Sequence, residues 1–311
     1  MGERRHCYVI GYPAKHSLSP VMFRAAFAAL QLNWTYEALE VEPVRLGAVL
    51  RELAHAGTVG INVTMPHKER VWPYLVRATE RASTLGAVNV LTWSLPGGRQ
   101  TGRDGVATGD QAASAGPGWE GDNTDWPGIS RALREAGVRD ASPEPVERCA
   151  DLAAVLFGAG GAGRAAAFAL TELGFRVTVV NRDHQRGQRL ARLIDGSFLA
   201  WADASLPELL QKAHVVVNAT PLGMGDTAGL GQDSPLPPRA RLRPGVVACD
   251  LVYNPVETLF LRQAGEQGAR CVNGLEVLLW QGVLAFERWT GQQAPVQAMR
   301  AALKQGGGDR R

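Results

Sequence analysis

The sequence predicts an α/β protein made of two α/β domains, the second of them dinucleotide-binding. Three observations carry this. Short apolar runs alternate with segments of helical period over residues 6–95, and again from residue 152; such alternation builds sheets covered by helices. Segments of loop composition, 95–118 and 141–149, separate the two stretches. At the start of the second alternation an apolar run leads through "GAGGAG" into an alanine-rich helix.

In the first stretch, "HCYVIGYP" reads as a buried strand ended by Gly11 and Pro13. "SPVMFRAAFAALQL" reads as a helix with Ser19 as N-cap and Pro20 at the first helical position. "WTYEALEV" is a strand, and "PVRLGAVLRELAHAG" a helix capped at Gly57. "TVGINVTMP" is a strand stopped by Pro66, and "LGAVNVLTW" is another, giving a mostly parallel sheet. Residues 95–118 are rich in Gly, Ser, Thr and Ala; they read as a flexible surface insertion at a hairpin tip. "ASPEPVERC" reads as a linker.

The second stretch reads strand, glycine turn, helix, Gly174 cap, strand across "LAAVLFGAGGAGRAAAFALTELGFRVTVVNRD". Gly158, Gly160 and Gly163 have the G-x-G-x-x-G spacing in the strand–turn–helix context that the motif requires. The first glycine permits the turn, the second lets a pyrophosphate approach the backbone, and the third lets helix and strand pack closely. The helix N-terminus offers N–H groups to phosphate. The loop as a whole, Gly158, Ala159, Gly160, Gly161, Ala162 and Gly163, is therefore a cofactor cradle of Rossmann type. "AHVVVNATPLGMG" and "GVVACDLVY" are further buried strands. The chain is helical again to about residue 304, and residues 305–311 read as a disordered tail.

Composition excludes several classes. The 311 residues carry a formal charge of only +3, with cations and anions interspersed, which does not suit a nucleic-acid binder. Cys7, Cys149, Cys249 and Cys271 are scattered and read as reduced thiols of a cytoplasmic protein; neither cysteines nor histidines have metal-ligand spacing. No stretch approaches the ~18 apolar residues of a membrane span, and the N-terminus does not read as a signal peptide.

Polar residues collect at the predicted strand ends. Ser17 and Ser19 precede a helix, where two hydroxyls can grip a carboxylate. Asn62 and Thr64 alternate with Ile61 and Val63 and so share one face of their strand, with Lys68 just beyond. Asn89 lies in a buried strand and needs partners. "GDNTD" brings Asp122, Asn123, Thr124 and Asp125 after a glycine turn.

The motifs H-S-x-S-P, N-V-T-x-P-x-K, G-A-V-N, G-D-N-T-D, G-A-G-G-A-x-R, N-R, N-A-T-P-L-G-M and G-L-x-x-L-x-x-Q occur here in this order. Together they resemble the shikimate dehydrogenase (shikimate/quinate dehydrogenase) family from about residue 7 to 304. The departures are the 95–118 insertion and Asp183, where relatives usually carry Thr or Ser. The resemblance implies reversible, NADPH-dependent reduction of 3-dehydroshikimate to shikimate in the cytoplasm, without a metal. It implies that Ser17 and Ser19 hold the substrate carboxylate, near Thr64 and Tyr253. Asn62, Asn89, Asp125 and Gln281 would bind the ring hydroxyls, and Lys68 and Asp125 would form the catalytic pair. For the cofactor it implies the glycine loop, Asn181, Arg182, Asp183, Arg186, Asn218, Ala219, Thr220, Leu251 and Gly274. It also implies a substrate domain of residues 1–125 with C-terminal helices from about 276 to 304, a cofactor domain of 126–275, and an active site in the cleft between them. The implied partners are small molecules only, on a monomer or homodimer.

"NRDHQR" decides the cofactor. Arg182 and Arg186 suit the 2′-phosphate of NADP. Asp183 would oppose it, but precedes a helix for which Asp is a favoured N-cap. NADP is expected to be preferred, with NAD weaker. The alternatives are an NAD-preferring quinate/shikimate dehydrogenase and, from another class, a non-enzymatic metabolite sensor, which the presence of Lys68 and Asp125 disfavours.

Overall fold

The computed structural model describes residues 4–55, 57–95, 117–138, 152–225 and 233–308. The chain divides into two units, one formed by residues up to Thr124 with Gln281–Gly306, the other by Asp125–Trp280 and the chain end from Gly307. The first changeover falls one residue before the expected limit at 125. The second falls inside a helix, later than the expected start at about 276.

The first unit runs β1 (Arg5–Gly11), α1 (Ser19–Ala29), β2 (Trp34–Glu40), α2 (Leu46–Glu52), β3 (Thr58–Val63), β4 (Leu75–Ala78), α3 (Glu80–Leu85), β5 (Val90–Ser94) and β6 (Gly118–Asp122). Its sheet has the order β2-β1-β3-β5-β6-β4. β1 is parallel to β2 and β3, and β4 to β6, while β5 is antiparallel to both β3 and β6. The expected mostly parallel sheet is thus a mixed one, because β5 runs antiparallel to both of its neighbours. Ile10, Ile61, Leu91, Leu50 and Trp119 form the core on one side of it.

Four local expectations are corrected. Ser19 is the first residue of α1, behind an N-cap at Leu18 with no side-chain bond; Pro20 at the second position leaves no N–H there to cap. α2 ends at Glu52 with Leu53 as its C-cap, not at Gly57, because His55 and Gly57 form their own turn, with Gly57 N–H donating to His55 Nδ1. Gly121 and Asp122 end strand β6 rather than forming a turn, and Asn89 stands one residue before β5. The 95–118 insertion lies outside the described residues over 96–116, and its last residue begins β6. The 141–149 linker and Cys149 also lie outside them.

The second unit runs α4 (Asp125–Glu135), β7 (Ala153–Phe157), α5 (Gly161–Glu172), β8 (Arg176–Asn181), α6 (His184–Leu193), β9 (Ser197–Ala200), α7 (Leu206–Lys212), β10 (Val215–Asn218), β11 (Val247–Asp250), α8 (Leu259–Glu266) and β12 (Arg270–Val272). α9 (Gly274–Thr290) begins in it and continues into the first unit, and α10 (Val296–Gly308) follows. The expected disordered tail is therefore helical through Gly308, with Gly306 near Leu18 and Val21; residues 309–311 lie outside the described ones. The sheet is parallel throughout, in the order β12-β11-β10-β7-β8-β9. Val155, Phe157, Val180, Val216 and Ala248 anchor its core against Leu206, Leu210 and Phe260. Among the described residues, no helix is long and apolar enough to cross a membrane.

Candidate active site

The second unit's strand order reverses at β7, with β8 on one side and β10 on the other. This is the doubly wound order, and ligands bind outside the strand ends at such a switch point. The glycine loop occupies that position. Gly158 has φ +103°, and a Cβ on it would lie 2.9 Å from the Ala219 carbonyl oxygen. A Cβ on Gly163 would collide with the Gly158 oxygen, so helix α5 can start this close to β7 only with glycine there. Over Gly160 and Gly161 a Cβ would meet nothing within 4 Å, which leaves room for a pyrophosphate at the α5 N-terminus. Ala159 is half-buried and Ala162 exposed.

At the tip of β8, Asn181 Nδ2 donates to the Asp183 carbonyl at 2.8 Å. Asp183 is the N-cap of α6, and its Oδ1 accepts from Arg186 N–H at 3.0 Å. Arg182 lies immediately beyond the strand and Arg186 in the first turn of the helix; both are exposed. Two guanidinium groups beside a committed carboxylate fit a ribose that carries a phosphate.

Asn218 ends β10 beside Phe157. Its Oδ1 accepts from Thr220 N–H and hydroxyl, and Ala219 N–H donates to Phe157 O. Its Nδ2 donates to the fully buried Asp250 at 3.0 Å. Asp250 also accepts from Val252 N–H and the Thr258 hydroxyl. One carboxylate thus ties the Asn218–Thr220 turn to the loop carrying Leu251 and Tyr253. Burial pushes its pKa up to about 6, against the lowering effect of the Thr258, Val252 and Asn218 donors. Leu251 N–H donates to Asn218 O, and Gly274 opens α9 against the Val252 backbone.

In the first unit the predicted polar residues form one connected run. Ser19 N–H donates to Ser17 Oγ at 3.2 Å, and the Ser19 hydroxyl bonds the phenol of Tyr36. Tyr36 Oη donates to Asn62 Oδ1 at 2.6 Å, and Asn62 Nδ2 to Asn89 O at 3.4 Å. Asn89 Nδ2 donates to Thr124 Oγ1, and Thr124 N–H to Asn89 Oδ1 at 2.7 Å. Thr64 follows β3, its N–H on Ile10 O. The half-buried Lys68 is held by its carbonyl, which accepts from Val88 N–H at 2.9 Å.

Asp125, 7% exposed, is the first residue of α4 in the second unit, and Gln281 is the half-buried α9 residue at which the chain returns to the first. The loop before Asp125 is fixed by Asp122, which accepts from Thr79, Arg81, Arg288 and Asn123 N–H. Tyr36, Asp122 and Asp250 were not singled out from sequence as site residues with a role. The available signals were a tyrosine at an inward position of β2, whose hydroxyl needs a partner when buried, and lone carboxylates closing apolar strands.

A glycine-looped, doubly wound sheet accompanied by a second α/β unit with a lysine, hydroxyls and amides at its strand ends defines a nicotinamide-dependent oxidoreductase. Family patterns give the particular family. "Shikimate dehydrogenase substrate binding domain" matches residues 9–91, "Shikimate / quinate 5-dehydrogenase" residues 142–222, and "Shikimate 5'-dehydrogenase C-terminal domain" residues 274–304. The shikimate dehydrogenase (NADP(+)) of Desulforamulus reducens is 38% identical, over 97% of this chain and 95% of its own. The crystal structure of the Thermus thermophilus shikimate 5-dehydrogenase with NADP(H) and shikimate superposes with TM-score 0.77 at 34% identity, covering 97% of this chain and 99% of that one. That of the Listeria monocytogenes enzyme with shikimate and NAD gives 0.79 at 29% identity, covering 97% of each. The chain belongs to the shikimate dehydrogenase family.

Proposed function

We propose that this chain is an NADP-dependent shikimate dehydrogenase, interconverting 3-dehydroshikimate and shikimate. The observation that carries the reading is the hydrogen-bonded run from Ser17 through Asn89, in which Tyr36 joins residues that the family resemblance assigns to the substrate. A bound nicotinamide supplies the hydride. Ser17 and Ser19 take the substrate carboxylate, with Thr64 and Tyr253 beside it. Asn62, Asn89 and Gln281 take the ring hydroxyls. In the reductive direction Lys68 gives a proton to the carbonyl oxygen as alkoxide character develops there, and in the oxidative direction it takes the proton back. Asp125 accepts a hydrogen bond from the same hydroxyl and orients the lysine. Arg182 and Arg186 hold the 2′-phosphate, and the glycine loop the pyrophosphate. Cys7, Cys249 and Cys271 are free thiols, which suits a cytoplasmic enzyme.

Steady-state kinetics of the purified chain with shikimate and quinate, each against NADP and NAD, tests this. The highest kcat/KM is expected for shikimate with NADP. A higher value for quinate with NAD would replace the reading with the quinate-type alternative.

A further inference from the structure

We propose that Tyr36 is a positioning residue for shikimate, ordering the Ser19 hydroxyl and the Asn62 amide through one buried phenol; this rests on the reading above that Ser19 and Asn62 hold the substrate. Tyr36 sits mid-strand in β2 and is 0% exposed. Its ring is fixed by stacking on Phe23, centroids 4.3 Å apart, with Trp289 on a further side. The phenol therefore cannot move away from its two partners, and its oxygen lies between residues that approach the substrate from different elements, helix α1 and strand β3.

The hydrogens impose a direction on this chain. Tyr36 has one O–H, and it is donated to Asn62 Oδ1 at 2.6 Å. The Ser19 hydroxyl is then the donor to the phenol oxygen. A carboxylate only accepts, so on arrival it claims the Ser19 hydrogen. The phenol answers by rotating its own hydrogen onto Ser19 Oγ. With its hydrogen withdrawn from Asn62, the phenol releases Asn62 Oδ1 as an acceptor for a ring hydroxyl, while Nδ2 stays on Asn89 O. Capture of the carboxylate at one end thus prepares the hydroxyl site at the other. Only O–H rotations are involved, and no bond to hydrogen breaks.

Tyr36→Phe keeps the stacked ring and removes the link. Loss of one hydrogen bond worth about 1.4 kcal/mol corresponds to about tenfold in binding. KM for shikimate is expected to rise about tenfold, with kcat changed less than about threefold and KM for NADP unchanged. Because Tyr36 acts partly through Ser19, Tyr36→Phe combined with Ser19→Ala is expected to raise KM by less than the product of the two single factors. An unchanged KM for shikimate, or penalties that multiply, would overturn the inference. Wild-type kinetics tests the underlying reading separately: no turnover of shikimate there defeats that reading and this inference together, whereas a wild type that turns over and a silent variant defeat the inference alone. If Tyr36→Phe does not fold, 3-fluorotyrosine at position 36 gives a nearly isosteric ring with a stronger donor. A shifted KM for shikimate is expected, and an unshifted one overturns the proposal.

Discussion

Lys68 follows β3 with its carbonyl pinned by Val88 N–H, so its main chain is fixed beside the strand ends. Lys68→Ala is expected to lower kcat by ~10²–10⁴-fold, the usual worth of general acid–base assistance, while shikimate still binds. Asp125→Asn should lower kcat less and weaken shikimate binding as well, since it retains one acceptor oxygen. Near-normal turnover of Lys68→Ala in stopped-flow or steady-state assays would remove the lysine from the mechanism. At the cofactor end, Asp183 Oδ1 is engaged by Arg186 N–H, which opposes turning the carboxylate toward a ribose hydroxyl, yet its charge lies close to the arginines. Asp183→Thr, which can still cap α6, is therefore expected to raise the NADP/NAD ratio of kcat/KM. Arg182→Ala should bring that ratio toward or below one, and a ratio unmoved by Arg182→Ala would place phosphate recognition elsewhere.

The elements differ in how far they could be read from sequence. β1, β3, β7, β10 and β11 are apolar runs closed by Gly, Pro or a polar residue, and the Gly158–Gly163 loop declares the β7–α5 turn. β4, β6, β9 and β12 were not legible. "LVRA" and "RCV" are too short to show a period, and "GWEGD" carries two glycines that disfavour a strand. β6 exists because β5 and β4 flank it. Most predicted site residues stood in motifs, but Tyr36 meets Asn62 from 26 positions away and Asp122 meets Arg288 from 166, separations that periodicity does not reveal. The β5–β6 pairing also yields a prediction. Ser94 and Gly118 are antiparallel partners, so a short Gly-containing turn can replace residues 96–116. Their few bulky apolar residues and the small cost of loop length, about 0.6 kcal/mol per doubling, imply that this deletion leaves kcat/KM nearly intact. A tenfold loss in a still-folded deletion variant would show that the segment contributes to the site.

At the scale of the whole molecule, a buried titratable group in each unit couples folding to pH between about 4 and 7, and the two couple in opposite directions. In the first unit His67 is fully buried, its Nε2 donating to Val41 O at 2.7 Å while its Nδ1 has no partner among the described residues. Burial holds its pKa below the usual imidazole value, helped by the charge of Arg70 and opposed by the Val41 bond. The unfolded chain takes up this proton at about pH 6.5, and the native chain resists it. His67 thus contributes stability above about pH 6.5 that is lost as pH falls through its folded value. In the second unit Asp250 is pushed from 3.8 up to about 6. Between these values the native chain binds the proton more tightly than the unfolded one, so its contribution is full below about pH 4 and lost as pH rises through about 6. Asp250→Asn keeps Oδ1 for Asn218 and Val252, and the Thr258 hydroxyl can turn to accept from the new amide. This variant should fold and lose the decline between pH 4 and 6. His67→Gln retains a donor for Val41 O and should lose the destabilisation on acidifying below pH 6.5. Urea unfolding of wild type and both variants across pH 4–7.5 measures the two slopes. If Asp250→Asn keeps the wild-type slope between pH 4 and 6, the carboxyl of Asp250 is ionised throughout that range, and its three donors outweigh its burial.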